Sequence, residues 1–242
     1  MARYPKQDDP GGKNVIPSVT EIIGDCTDKS GALTQWAANM TVEWIKEHCL
    51  EIYVDAYQVS VDQLNDVRFN FKTVSQKVLD IGSEVHGLIE NYLTYTLTHG
   101  DGWTWPDNMG VEVENAFRAF WNWSIDNDLK PISLEQTVYG DVDGYCWAGT
   151  MDIECYLNDK RTVIDHKTSK DFYWDSMGPQ IAAYKSLTDA THCGILRLDK
   201  ESGMPFYRDR TKYFDRDLRI FKNMVRIYMD RHPVIAKGCY NG

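Results

Sequence analysis

Apolar positions in the first half of the chain repeat every three or four residues, which is the spacing of amphipathic helices. This pattern predicts helices over about residues 31–50, 60–69, 72–97 and 109–127. Ahead of them, residues 16–24 predict a short helix, because Ser18 is followed three positions later by Glu21, as in a capping box, and Gly24 is a typical helix stop. Residues 1–15 are rich in Pro, Gly and Asp and predict a flexible lead.

In the second half, short apolar runs are bounded by turn residues, which is the pattern of β-strands. The pattern predicts strands at 132–139, 145–157, 161–167, 192–198 and 204–207, and helices at 176–189 and 214–232. This order favours an α/β fold, with a small central mixed sheet flanked by helices and an N-terminal helical layer. Residues 16–242 are expected to form one domain, mainly helical over 16–130, with the sheet core and C-terminal helix over 131–242.

Net charge, cysteine spacing and hydropathy disfavour several classes of protein. The net charge is 26 − 36 = −10, which disfavours a general nucleic-acid coat protein but not an enzyme with a local phosphate track. The six cysteines form no C-x-x-C pair, so free thiols are expected rather than a zinc or iron–sulfur site. No apolar run could span a membrane, and the first ten residues show no secretory or transit signal, so a cytoplasmic location is expected.

Candidate chemistry lies at the end of the strand predicted at 161–167. Alternation along a strand places Asp165 and Lys167 on the same face, and Asp152 lies on the neighbouring strand. Burying such charges costs several kcal/mol unless another charge offsets it. A divalent cation held by the acids would do so, which points to metal-assisted phosphodiester hydrolysis. The alternative is a structural ion pair in an unrelated protein.

Other positions allow two interpretations each. His86 on the predicted 72–97 helix is either a core histidine or a metal ligand. Ser18 and Thr20 either cap a helix or offer hydroxyl groups to a phosphate at that helix N-terminus. Gln180 and Tyr184 are neighbours on one face of a predicted helix.

These features occur in a specific order: His86 on a helix, Glu135 on a strand, Gly149-Thr150-Met151-Asp152, Asp165-His166-Lys167, and Gln180 to Tyr184. The set resembles the motifs of the RecB-like branch of the PD-(D/E)XK nuclease superfamily. Pro17-Ser18-Val19-Thr20 with the Trp36 helix also resembles the start of phage-type exonucleases and of the mitochondrial genome maintenance exonuclease. The resemblance covers about residues 16–185 and implies a restriction-endonuclease-like core.

The resemblance also implies roles for individual residues. Asp152, Asp165, the backbone carbonyl of His166 and His86 would ligate Mg²⁺ or Mn²⁺. Lys167 would position or activate water and stabilise charge on the phosphate, acting either as a base or as an electrostatic clamp. The remaining implied roles are a water or metal contact for Glu135, phosphate binding for Thr168 and Ser169, and orientation of the site or DNA contact for Gln180 and Tyr184.

The implied activity is that of a metal-dependent DNA exonuclease, phage-encoded and acting in recombination, repair or DNA processing in the bacterial host cytoplasm. Its partners would be single-stranded DNA or the ends of double-stranded DNA, and a phage recombination or annealing protein. Closely spaced C-terminal cysteines and a G-x-x-x-x-G-K-[ST] motif are both missing from the sequence, so neither an iron–sulfur cluster nor ATP is expected. The alternatives are a structure-specific endonuclease of the same fold and a catalytically inactive DNA-binding module.

Overall fold

The computed structural model describes residues 4–5, 15–28, 30–54, 56–100, 102–233 and 235. It divides into two compact units, the larger made of Met1–Thr27 with Glu84–Gly242 and the smaller of Asp28–Ser83. The predicted single domain over 16–242 stays a prediction. Most of the predicted flexible lead, residues 1–3 and 6–14, lies outside the described residues.

The helices and strands follow one another in an order close to the predicted one. They are β1 (Tyr4–Pro5), β2 (Val15–Ile16), α1 (Val19–Cys26), α2 (Ser30–His48), β3 (Leu50–Tyr53), β4 (Ala56–Gln58), α3 (Val61–His99), α4 (Val111–Asp126), β5 (Lys130–Val142), β6 (Tyr145–Leu157), β7 (Lys160–Lys167), α5 (Trp174–Lys185), β8 (His192–Leu198), β9 (Pro205–Asp209) and α6 (Phe214–Arg231). Among the described residues, none of these helices combines the length and the apolarity needed to cross a membrane.

A five-stranded mixed sheet is the centre of the larger unit. Its strand order is β5-β6-β7-β8-β9, and every neighbouring pair is antiparallel except β7 and β8, which are parallel. The β6–β7 turn is short because Asn158 and Asp159 both take positive φ values, 48° and 63°, as a two-residue hairpin requires. A parallel pair needs a crossover, which α5 supplies. The predicted α/β class, small central mixed sheet and flanking helices are confirmed.

The apolar core lies between this sheet and its helices. Val163 of β7 and Ile195 of β8 share a buried cluster with Ile181 of α5 and with Phe221 and Val225 of α6. Burying side chains of this size contributes about 1.5–3 kcal/mol each. The cluster therefore fixes the position of α5 against the end of the sheet that carries the candidate chemistry.

The N-terminal segment of the larger unit is attached directly to β6. The Ala148 N–H donates to the carbonyl of Pro17 at 3.1 Å, and the Ser18 Oγ accepts the Glu21 N–H at 3.0 Å. Ser18 is therefore the N-cap of α1, as predicted. The predicted stop at Gly24 is wrong, because α1 continues to Cys26.

The smaller unit contains α2, the β3–β4 hairpin and the first part of α3. The Asn70 amide donates to the carbonyl of Met40, and the Gln63 amide to the carbonyl of His48. The hairpin had no predicted counterpart. The two helices predicted at 60–69 and 72–97 form one helix, α3. Asn70 and Phe71 between them are neither Gly nor Pro, so no residue breaks the helix there.

Gly149 on β6 lies against Tyr184 of α5, and a side chain there is expected to destabilise the fold. A Cβ added at Gly149 would lie 2.7 Å from Tyr184 Cε1, 2.9 Å from its hydroxyl and 3.1 Å from Val19 Cγ2. We expect Gly149→Ala to lower the free energy of unfolding by about 1–3 kcal/mol, measured by urea denaturation. The matched control is Gly24→Ala, at an exposed position of α1 where a Cβ meets nothing within 4 Å; it should stabilise the protein slightly. Equal effects of the two substitutions would contradict the close packing of Tyr184.

Candidate metal and catalytic site

The end of β7 carries a buried ion pair. Lys167 Nζ lies 3.0 Å from Asp165 Oδ1 and 2.8 Å from Oδ2. The Asp165 carboxylate is fully buried, whereas a quarter of the Lys167 side chain is exposed. Since the two residues are separated by one position on the strand, their contact is the one that alternation predicts.

Asp152 of β6 joins the two strands by its side chain. Backbone pairing of β6 with β7 ends at Ile153 opposite Ile164. Beyond that point the His166 N–H donates to Asp152 Oδ2 at 3.0 Å. Where the strands separate, the buried Asp152 carboxylate therefore accepts the His166 N–H in place of a backbone carbonyl of β6.

Glu135 of β5 lies level with Asp152, because the register places Leu134 opposite Ile153 and Gln136 opposite Met151. Its φ of 44° is in the left-handed region within an otherwise extended strand. Such a conformation costs a residue other than glycine about 1–3 kcal/mol, and strained residues of this kind cluster at functional sites. The distortion brings the Glu135 carboxylate to the histidine of α3.

His86 of α3 completes the group. Its Nδ1 lies 3.6 Å from Glu135 Oε1 and 4.0 Å from Asp152 Oδ2. Its ring lies over that of His166, with 3.7 Å between centroids. Ligand atoms of His86, Asp152 and His166 all lie within 4.8 Å of one another.

Within the described residues, three of the four residues predicted to bind metal therefore have their side chains in one cluster. Asp165, the fourth, is held in the ion pair with Lys167. The sequence analysis assigned the backbone carbonyl of His166 to the metal, whereas it is the imidazole that lies in the cluster. No sequence signal marked this, because strict alternation would turn the His166 side chain away from Asp165.

The donors in this cluster fit a divalent metal. The His166 ring is almost fully buried, and neither ring nitrogen has a hydrogen-bond partner among the described residues. Its Nδ1 is 3.3 Å from Asp152 Oδ2, without the geometry of a hydrogen bond. Buried polar atoms are normally paired, and two imidazoles with one carboxylate are a common ligand set for divalent metals.

The charges of the metal-free cluster follow from burial and from its neighbours. Burial, and then the Asp165 carboxylate, raise the pKa of Asp152 to about 7. Burial lowers the pKa of His86, but the carboxylates of Glu135 and Asp152 outweigh it and the net shift is upward. Burial and the nearby His86 and Lys167 keep the pKa of His166 well below its ordinary value, so this imidazole is neutral and able to ligate.

Lys167 is held in its charged form in the metal-free protein. Burial would lower its pKa, but the Asp165 and Asp152 carboxylates raise it above the ordinary value. An ammonium group in this state stabilises negative charge and does not accept a proton.

Helix α5 places Gln180 and Tyr184 beside this site. Both are at least nine-tenths buried. Burial, and then the Asp165 carboxylate, raise the pKa of Tyr184, so its hydroxyl stays protonated and is able to donate a hydrogen bond. Gly149 leaves the space that the Tyr184 ring occupies.

The other predicted substrate contacts lie on loops and at a cap. Ser18 Oγ is used by the α1 cap and lies 3.1 Å from the Thr20 hydroxyl, which is on an exposed residue. Thr168 and Ser169 follow β7 and are half-buried, and the Ser169 hydroxyl donates to the carbonyl of Asp171. Their roles in phosphate binding stay predictions.

The raised pKa of Asp152 predicts a pH-dependent effect of Asp152→Asn on the metal-free protein. The folded protein holds a proton on Asp152 up to about pH 7, whereas the unfolded chain releases it near the ordinary value of 3.8. Stability contributed by this group therefore falls as pH rises from about 4 to about 7. We expect the stability of Asp152→Asn relative to wild type to increase across this range, in urea denaturation with a chelator. Asp128→Asn removes an exposed carboxylate and is the control; parallel curves for wild type and Asp152→Asn would contradict the burial effect.

No protein-family model and no curated protein matches the chain. Among solved structures, a Eubacterium rectale protein with a provisional exonuclease name matches with a TM-score of 0.43 and 15% identity, over 65% of this chain and 68% of that chain. The protein SSO0001 matches with a TM-score of 0.32 and 14% identity, over 83% and 88%. Both TM-scores are below 0.5.

Proposed function

We propose that this protein is a metal-dependent nuclease that hydrolyses phosphodiester bonds at DNA ends. The observation that carries the proposal is the buried Asp165–Lys167 pair at the end of β7, next to the cluster of His86, Asp152 and His166. A carboxylate, an ammonium and a set of metal-ligating donors at one end of the sheet are the groups that phosphodiester hydrolysis requires.

In this proposal His86, Asp152 and His166 hold the divalent metal, Mg²⁺ or Mn²⁺, with Asp165 beside them. When bound, the metal would supply Lewis-acid polarisation of the phosphate and a water of lowered pKa. Glu135 lies 3.6 Å from His86 Nδ1 and would contact the metal or a water bound to it.

Lys167 acts as an electrostatic clamp on the phosphate. The ion pair with Asp165 supports this role, since it holds a charged ammonium at the end of β7. Asp165 fixes the ammonium by accepting its hydrogen bond. The Tyr184 hydroxyl and Gln180 donate from α5 and orient the site, while Ser18, Thr20, Thr168 and Ser169 bind phosphates of the DNA strand.

The finer part of the proposal concerns substrate and setting. We favour an exonuclease acting on single-stranded DNA or on duplex ends, phage-encoded and working in recombination or repair with an annealing or recombination protein. This part is supported by the order of motifs along the chain, from His86 through Asp152, Asp165 and Lys167 to Tyr184.

The test is degradation of end-labelled linear DNA, single- and double-stranded, and of closed circular DNA, with Mn²⁺ or Mg²⁺. We expect the wild type to degrade the linear substrates and to leave the circle intact, and Asp165→Asn to be inert. The matched control is Asp128→Asn, since Asp128-Leu129-Lys130 repeats the Asp-x-Lys pattern with both side chains exposed.

Each other outcome changes the proposal in a defined way. Cutting of the circle would replace exonuclease by endonuclease. DNA binding without cutting would favour the inactive binding module. If wild type neither binds nor cuts DNA under any of these conditions, the proposed function is wrong.

A further inference from the structure

We propose that the His166 imidazole, and not only its backbone, binds the metal together with His86 and Asp152, so that the site selects Mn²⁺ or another first-row transition ion over Mg²⁺. The inference rests on the proposed function for the presence of a metal. It specifies the side chain of His166 as the ligand and adds a metal preference to that function.

The first support is the environment of the His166 ring. A buried core histidine normally donates one ring N–H and accepts at the other nitrogen. This ring is 1% exposed, and neither nitrogen has a hydrogen-bond partner within the described part of the chain. Its nearest ring is His86, at 3.7 Å, whereas the apolar Phe120 ring lies 6.3 Å away.

The second support is the convergence of three ligands from separate elements. His86 comes from α3, Asp152 from β6 and His166 from β7, and their ligand atoms lie within 4.8 Å of one another. Asp152 is fixed by the His166 N–H at 3.0 Å. The same carboxylate lies 3.3 Å from His166 Nδ1. The ligand atoms of the three residues are therefore close enough to face a common site.

The metal preference follows from the ligand atoms. Mg²⁺ prefers oxygen ligands and retains several waters. Imidazole nitrogen suits the first-row transition ions, whose affinity for nitrogen sites rises from Mn²⁺ towards Cu²⁺. Exchanging a carbonyl oxygen for a second imidazole therefore moves the preference away from Mg²⁺.

The experiment counts nitrogen ligands on bound Mn²⁺ by electron spin echo envelope modulation, which detects coupling to ¹⁴N. We expect two coupled imidazoles in wild type, one in His166→Leu and one in His86→Leu. The control is His192→Leu on β8, which lies outside the cluster and should retain two. Titration of Mn²⁺ should show a dissociation constant raised by about tenfold or more in His166→Leu, and Mg²⁺ should displace Mn²⁺ from wild type only at large excess.

The results separate this inference from the proposed function. One coupled imidazole in wild type, unchanged in His166→Leu, would show that only the backbone is involved and overturn the inference, while a nuclease activity would stand. Absence of Mn²⁺ binding would overturn both. If His166→Leu fails to fold, the wild-type count alone decides, because two imidazoles support the inference and one contradicts it.

Discussion

Lys167→Met is expected to lower the rate of DNA cleavage by about 10²–10⁴-fold, the range of a single positioned proton-transfer or charge-stabilising group. The substitution keeps the length of the apolar stem and removes the ammonium that lies 2.8 Å from Asp165. Because Lys167 is not among the proposed ligands, Mn²⁺ binding should persist. Single-turnover cleavage and a metal titration on the same sample measure both quantities.

The control for Lys167→Met is Lys130→Met. Lys130 pairs with Asp128 at 2.7 Å in the same Asp-x-Lys spacing, but both side chains are more than half exposed. Its removal should leave cleavage unchanged. Unimpaired cleavage by Lys167→Met would contradict the assignment of Lys167 to the site.

The same substitution should also affect folding. Lys167→Met leaves the Asp165 carboxylate buried without its counter-ion, which we expect to lower the free energy of unfolding by up to about 3 kcal/mol, since the ammonium is a quarter exposed. Adding Asp165→Asn should restore part of this stability but not the activity. Recovery of cleavage in the double variant would exclude Lys167 as a clamp.

Arg210→Met is expected to lower the free energy of unfolding by up to about 3 kcal/mol, less than the full cost of breaking a buried ion pair, because Asp217 Oδ1 keeps its hydrogen bonds from the half-exposed Arg216. The Arg210 guanidinium donates through both Nε and Nη2 to Asp217 Oδ2, and both residues are more than 90% buried. It also lies 4.5 Å from the Trp174 ring and 4.3 Å from the Tyr213 ring. The loss should be visible in urea denaturation at neutral pH.

The matched control is Arg226→Met. Arg226 pairs with Asp143 at 2.6 Å, but about half of each side chain is exposed, so the expected cost is about 0–1 kcal/mol. The double variant Arg210→Met with Asp217→Leu should recover part of the loss, because it also removes the buried carboxylate and leaves only the half-exposed Arg216 charged. Similar losses for Arg210→Met and Arg226→Met would mean that burial of the first pair has no energetic consequence.

The sequence predicted the sheet well because its signals are local. The strand predicted at 192–198 has the observed bounds, because turn residues lie on both sides of its apolar run. The β6–β7 hairpin followed from Asn158 and Asp159, two residues that tolerate positive φ. The β3–β4 hairpin was missed because it is short and its β3 residues are all exposed, so no alternation distinguishes them.

The candidate site was predictable in its members but not in its arrangement. Spacing was enough to place Asp165 next to Lys167, yet Asp128 and Lys130 have the same spacing on the surface, so the pattern alone does not report burial. The His166 imidazole was not predicted to lie in the cluster. It lies there where β6 and β7 separate and where Glu135 takes a left-handed conformation. Both are properties of paired strands and cannot be detected along a single strand.

The short β6–β7 turn has a consequence for the order in which the site assembles. Asp152 and Asp165 are 13 positions apart on one hairpin, and hairpins of this kind close within about 1–10 μs. His86 comes from 66 positions before Asp152, so it joins only when α3 docks, a non-local step that is slower. Two of the three clustered ligands, Asp152 and His166, therefore come together early, and the third, His86, joins late. Tight metal binding during refolding would mark the docking of α3.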